Sequence, residues 1–217
     1  HDDGAGCVHS IGALRLFQKQ NIKPNNTIRA VMFMNEEFGL RGGLKYAEIA
    51  VKENEQHIAA IESDASGYVP RGFGFSGSDE QLEKIQDWLK YFDKNTISYF
   101  SKGGGGADIG PLHRQTGTPM FGLSIDGQKY FEMHHTAKDV FELVHARELE
   151  LGTASLGCQR RHGRRVASGR GGRDRAAADR GLKTRARSPA RSAATFGRVH
   201  KAPRRTAPPC ASTSLAA

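Results

Sequence analysis

Four short clusters of acidic and histidine side chains could bind a metal ion. They are His1-Asp2-Asp3, Asn35-Glu36-Glu37, Glu62-Ser63-Asp64 and His134-His135. Carboxylate oxygens and imidazole nitrogens are the ligands that Zn²⁺ takes when no thiolate is offered, and two ions can share such a site. Each cluster alone has an ordinary explanation, because exposed acid pairs are usually solvated and an aspartate after a strand often caps a helix or a turn. Together the four clusters indicate a metal site.

The residues between these clusters predict alternating helices and strands. Apolar residues at helical spacing predict helices over 5–18, 42–54, 81–92 and 140–151, and apolar runs predict strands over 27–34, 57–61, 97–100 and 119–125. This alternation is typical of an α/β domain with a mixed, largely parallel sheet flanked by helices. Ligands of such sheets bind beyond the carboxyl ends of the strands. Glu36 and Asp64 follow predicted strands, so we expect the chemistry at that edge.

Charge and composition divide the chain near residue 157. Residues 1–150 contain 16 basic and 21 acidic residues, whereas 151–217 contain 16 basic and 2 acidic residues. From Cys158 onward, 27 of 60 residues are Arg or Ala, and the large apolar residues are too few to offset the entropy of ordering. We predict a folded domain over 1–157 and a basic tail over 158–217 that is disordered or frameshifted, since shifted GC-rich codons yield Arg, Ala, Gly, Pro and Ser.

Other classes of protein receive less support from the sequence. The longest apolar runs, such as 30–34, are far shorter than the roughly 18 to 20 residues of a membrane-spanning helix. Three scattered cysteines, Cys7, Cys158 and Cys210, do not predict a disulfide framework. A basic tail that binds nucleic acid is an alternative, but the tail lacks interleaved aromatic residues and any known binding motif.

Five motifs in order carry a family resemblance. They are HDDGAG at 1–6, MNEEFGLRGG at 34–43, IESDASGYVPRGFGFSG at 61–77, GGGADIGPL at 104–112 and MHHTAKDVFELV at 133–144. Over residues 1–157 this string resembles the zinc peptidases of the M28 family. The resemblance implies a zinc exopeptidase fold and a two-zinc site that hydrolyses terminal peptide bonds of short peptides. It also suggests a periplasmic or secreted protein, and leaves the oligomeric state open.

The resemblance assigns roles residue by residue. Asp2 resembles the carboxylate that bridges the two zinc ions, and Glu36 the general base that activates water. Glu37 and His135 resemble ligands of one ion, and Asp64 a ligand of the other. His134 and Asp139 resemble residues that lie next to these ligands and orient them without being assigned as ligands themselves.

One family ligand has no counterpart in this chain. The family has a histidine in a Gly-x-His-x-Asp stretch upstream of the bridging aspartate, and this chain begins too late to contain it. We therefore expect an N-terminally incomplete domain in which the ion at Asp64 is weakly held. Low stability and little peptidase activity are expected of these 217 residues alone. The alternatives are a metal-free binding module on the same fold and a basic nucleic-acid-binding protein.

Overall fold

The computed structural model describes residues 1–65, 67–92, 96–162 and 212–216. The helices are α1 (Gly4–Lys19), α2 (Arg41–Lys52), α3 (Asp79–Gln86), α4 (Gly110–Thr116), α5 (Gly127–Phe131) and α6 (Ala146–His162). The strands are β1 (Val31–Phe33), β2 (Ala60–Glu62), β3 (Pro70–Ser76), β4 (Tyr99–Lys102), β5 (Met120–Ile125) and β6 (Ser212–Ala216). Two short 3₁₀ helices span Asp87–Tyr91 and Phe141–Leu143. Most of the predicted tail, 163–211, lies outside the described residues, so its disorder or frameshift stays a prediction.

The described strands form one mixed sheet in the order β1-β6-β2-β5-β3-β4. Strands β2 and β5 are parallel, as are β3 and β4, whereas β3 runs antiparallel to β5. Strand β6 lies between β1 and β2 and is antiparallel to both. The predicted mixed sheet flanked by helices is confirmed, although three of the five pairings among the described strands are antiparallel, so parallel pairs do not predominate.

Strand β3, like α4, α5 and β6, is an element that the sequence pattern did not predict. It contains Pro70 and two glycines, Gly72 and Gly74, which are residues depleted in strands. Both glycines make room for neighbours. A Cβ on Gly72 would lie 2.5 Å from the Tyr99 ring, and one on Gly74 would lie 2.6 Å from the carbonyl oxygen of Gly103. Close packing across the sheet therefore overrides the low strand propensity of this segment.

Two apolar clusters hold the sheet between its helices. The larger one is rich in aromatic residues, among them Phe73, Phe75, Trp88, Phe100 and Phe121. The smaller one includes Phe33, Ala47, Ala60, Ile109 and Leu112, contributed by β1, α2, β2 and the start of α4. Because β1 and β2 are anchored by these clusters, the polar segments that follow them are fixed in space.

Helix α1 is locked to the sheet by a buried histidine. His9 is 0% exposed, and its Nδ1 lies 2.9 Å from the hydroxyl oxygen of Ser63, just beyond β2. A Cβ on Gly152 of α6 would lie 2.3 Å from His9 Nε2, so only glycine lets α6 approach this closely. Burial lowers the pKa of His9 to about 4. The start of α1, which carries Asp2 and Asp3, is thereby held beside the end of β2.

The neutral state of His9 predicts a loss of stability in acid. An unfolded histidine has a pKa near ~6.5, so between that pH and about 4 the unfolded state binds a proton that the folded state excludes. His9→Asn (H9N) keeps a polar atom near Ser63 without titrating there. As the pH falls from 7 to 4, urea denaturation should show the unfolding free energy of the wild type shifting downward relative to that of H9N, because the other titrating groups are common to both. The exposed control H145N should follow the wild type, and equal slopes for wild type and H9N would refute the idea.

Candidate metal centre

The acidic segments after β1 and β2 meet at the carboxyl edge of the sheet. Strand β1 ends at Phe33, and Asn35 adopts a left-handed conformation with φ of 65°, which turns the chain before Glu36 and Glu37. Strand β2 ends at Glu62, and Asp64 follows two residues later. This is the edge at which open α/β sheets bind ligands.

Asp2 reaches the same edge from the start of α1. The side chain of Asp3 caps this helix by accepting a hydrogen bond from the Gly6 amide at 3.1 Å. Asp139 accepts a hydrogen bond from the Asp2 amide at 2.8 Å, and its other oxygen contacts the amino nitrogen of His1. Asp139 therefore fixes the backbone that presents the Asp2 carboxylate.

The two histidines arrive from the turn after α5. His135 has φ of 56°, and its Nε2 lies 2.9 Å from Glu37 Oε1 and 3.4 Å from Asp2 Oδ2. His134 Nε2 lies 3.6 Å from the same oxygen of Asp2, and the two imidazole rings stack with centroids 3.7 Å apart. Ligand atoms of Asp2, His134 and His135 all lie within 4.8 Å of one another, close enough to share one metal ion.

Glu36 and Asp64 interact with the carboxylates of this group through their charges. Burial, followed by the charges of Asp2 and Glu36, raises the pKa of Asp64 to about 7. Burial and then the charge of Glu37 raise the pKa of Glu36, and the same two causes raise that of Asp2. Several carboxylates thus repel one another in a partly desolvated site. A bound divalent cation would relieve that repulsion.

The predicted residues therefore occupy two kinds of position. Direct contacts join Asp2, Glu37, His134 and His135. Asp139 accepts a hydrogen bond from the backbone amide of Asp2 and so holds it in position. Asp64 and Glu36 border this group and influence it through their charges.

Sequence reasoning assigned no role to three further residues near the site. Asp108 is 1% exposed, and its charge raises the pKa of both Glu36 and Asp64. Glu62 is 2% exposed, and burial raises its pKa to about 8. Tyr130 is buried with its ring 4.7 Å from that of His134. The position of Asp108, two residues after a glycine run that follows a predicted strand, was the available signal.

Comparison with known proteins identifies the family of this chain. The sequence profile of Peptidase family M28 matches residues 1–153. The chain belongs to peptidase family M28. Carboxypeptidase Q of Bos taurus is 29% identical over 153 residues, which are 70% of this chain and 32% of that protein. Carboxypeptidase Q of Homo sapiens is 28% identical with the same coverage. A probable aminopeptidase of Saccharomyces cerevisiae is 36% identical over 72 residues, 31% of this chain and 19% of that protein.

The fold is also shared with a solved M28 structure. A crystal structure of a peptidase M28 precursor from Shewanella amazonensis SB2B aligns with a TM-score of 0.68 and 28% sequence identity. The alignment covers 76% of this chain and 37% of that one. The chain spans about a third of the length of the M28 relatives that it matches. Among the described residues, no helix is long and apolar enough to cross a membrane.

The crowded carboxylates predict how stability depends on pH without metal. The pKa of Asp64 is about 7 in the folded state and near ~3.9 in an unfolded chain, so the folded state binds the extra proton between these values. The contribution of Asp64 to the unfolding free energy should therefore fall as pH rises from about 4 to 7 in EDTA. In Asp64→Asn (D64N) this contribution disappears. As pH rises across the range, urea denaturation should show the unfolding free energy of the wild type shifting downward relative to that of D64N, and the exposed control D87N should match the wild type. Equal pH slopes for D64N and wild type would count against this electrostatic picture.

Proposed function

We propose that this chain carries the metal centre of a zinc-dependent exopeptidase, which cleaves terminal peptide bonds of short peptides. The observation that carries the proposal is the convergence of Asp2, Glu37 and His135 from three distant parts of the chain. Some relatives are named carboxypeptidase and aminopeptidase, and these names support peptide bonds at the ends of peptides as the bonds that are cleaved. The proposal concerns the site, because the matches cover only a third or less of the length of those relatives.

The side chains at this edge fit a zinc centre. Imidazole nitrogens and carboxylate oxygens are suitable donors for zinc, and His135 Nε2 already faces two carboxylates that would share the ion with it. We assign one zinc to Asp2, Glu37 and His135 and a second to Asp2 and Asp64. His134 lies against Asp2 and is the available neighbour for either ion. When bound, the zinc ions supply Lewis acidity, polarising the peptide carbonyl and making water more acidic.

The chain's own residues supply the proton transfers. Glu36 stands in the site with a carboxyl whose pKa is raised by burial and by Glu37, which brings its proton affinity closer to that of its reaction partners. It is assigned to take a proton from the attacking water and to pass it to the leaving amine. Asp139 holds the backbone of Asp2, which would keep the Asp2 carboxylate directed toward the metal ions that it would hold.

Metal binding and cleavage test the proposal on the 217-residue chain. The protein is stripped with chelator, titrated with zinc, and assayed in excess zinc with dipeptides and with tripeptides blocked at one end. We expect zinc to bind, and weak cleavage that needs both zinc and a free chain end. Absence of zinc binding would refute the proposal. Zinc binding without any cleavage would favour a metal-binding module on this fold instead.

The general base gives a sharper prediction. Glu36→Gln (E36Q) keeps the size of the side chain and removes its capacity to accept a proton. Cleavage should fall about 10²-fold to 10⁴-fold, while the zinc content and the denaturation midpoint stay near those of the wild type. The exposed control E53Q should retain full activity. Unchanged cleavage in E36Q would remove Glu36 from the mechanism.

A further inference from the structure

A run of four glycines follows β4 and packs against the backbones of β3 and β5. Residues Gly103 to Gly106 all have positive φ, at 84°, 98°, 136° and 156°. The glycines of the strands beneath leave the space that this backbone fills. A Cβ on Gly122 of β5 would lie 2.2 Å from the carbonyl oxygen of Gly105, and one on Gly74 of β3 would lie 3.0 Å from the Cα of Gly104. We call residues 103–109 the glycine loop.

The far end of the glycine loop is held by Glu62. The Ile109 amide donates a hydrogen bond to Glu62 Oε2 at 2.9 Å, and the Ala107 amide donates a second one to this carboxyl. A Cβ on Gly106 would lie 1.8 Å from Glu62 Oε1, so the loop backbone lies directly against the carboxyl group. Glu62 is almost completely buried at this contact. Glu62 therefore binds the backbone of the loop at Ala107 and Ile109, the residues on either side of Asp108.

Asp108 occupies the part of the loop that Glu62 holds. Its backbone also packs against α2, because a Cβ on Gly43 would lie 2.4 Å from the Asp108 carbonyl oxygen. Its carboxylate is near enough to Glu36 and Asp64 to raise the pKa of each. A displacement of the loop would move this charge relative to the metal centre.

We propose that Glu62 is a positioning residue, which anchors the glycine loop and thereby sets Asp108 against Glu36 and Asp64 in the metal centre. The proposal rests on the function proposed above, because it assigns Glu62 an effect on zinc affinity. A merely structural Glu62 would hold the loop and the start of α4 without altering zinc binding. The two roles therefore differ in a measurable quantity.

The test compares two replacements of Glu62 in the full chain. Glu62→Gln (E62Q) retains a carbonyl oxygen that accepts the Ile109 amide, whereas Glu62→Ala (E62A) does not. Zinc affinity is measured by competition with a chelating dye, and the anchor by hydrogen exchange of the Ile109 amide without metal. We expect E62A to lose about 10-fold to 100-fold in zinc affinity and its Ile109 protection, and E62Q to retain most of both. The exposed control E83A should change neither.

A second variant covers the case in which E62A does not fold. Gly106→Ala (G106A) leaves Glu62 in place and forces the loop away from it, so it should also weaken zinc binding and expose the Ile109 amide. Where both single variants fold, the double variant should bind zinc about as weakly as each of them, because both break the same contact.

The outcomes separate the two proposals. A wild-type chain that binds no zinc overturns the proposed function and the positioning role with it. If the wild type binds zinc and E62A or G106A loses Ile109 protection at unchanged zinc affinity, only the positioning role is overturned. Loss of zinc affinity with intact Ile109 protection also overturns it, because the effect would then bypass the loop.

Discussion

Mutual repulsion among partly buried carboxylates is the constraint around which this molecule is organised. Asp2, Glu36, Glu37, Asp64 and Asp108 approach one another at a single edge of the sheet, where burial weakens the solvation that would keep them apart. The burial of apolar side chains does not by itself favour bringing these carboxylates together. The fold tolerates it because β1 and β2 are anchored by the apolar core and α1 and the glycine loop are anchored to the end of β2, so the repulsion is left for a cation to neutralise.

The contacts that hold these elements in place are similar. In each of them a backbone segment lies very close to another backbone segment or to a buried polar side chain. Gly6 brings α1 against the carbonyl of Ser63, where a Cβ would lie 1.8 Å from the oxygen, and Gly152 brings α6 against His9. Glycine weakens helices and strands on its own. At these positions the weaker local preference is offset by close contacts that place charged side chains.

Much of this arrangement is visible in the sequence, and the remainder has physical reasons for being hidden. Helix α1 was predicted over 5–18 and spans Gly4–Lys19, since its apolar spacing and acidic start agree. Strand β3 was hidden because the fit of its glycines depends on Tyr99 and on the glycine loop, which are distant in the chain. The acids after β1 and β2 could be placed from strand order alone. The contact between Glu37 and His135, which follows a helix rather than a strand, depends on the turn after α5, and only the family motif pointed to it.

The position of β6 has a consequence for how the site comes into being. Strands β1 and β2, which lead to Glu36 and Asp64, do not touch; residues 212–216 lie between them, so they stand about 10 Å apart, two strand spacings. Such a pairing has a high contact order, because residues 31 and 214 are far apart in the sequence. Long-range pairings of this kind form slowly, since the entropy of closing the long intervening loop opposes them. The spacing of the two halves of the site is therefore set late in folding, and until then the acids remain exposed to water.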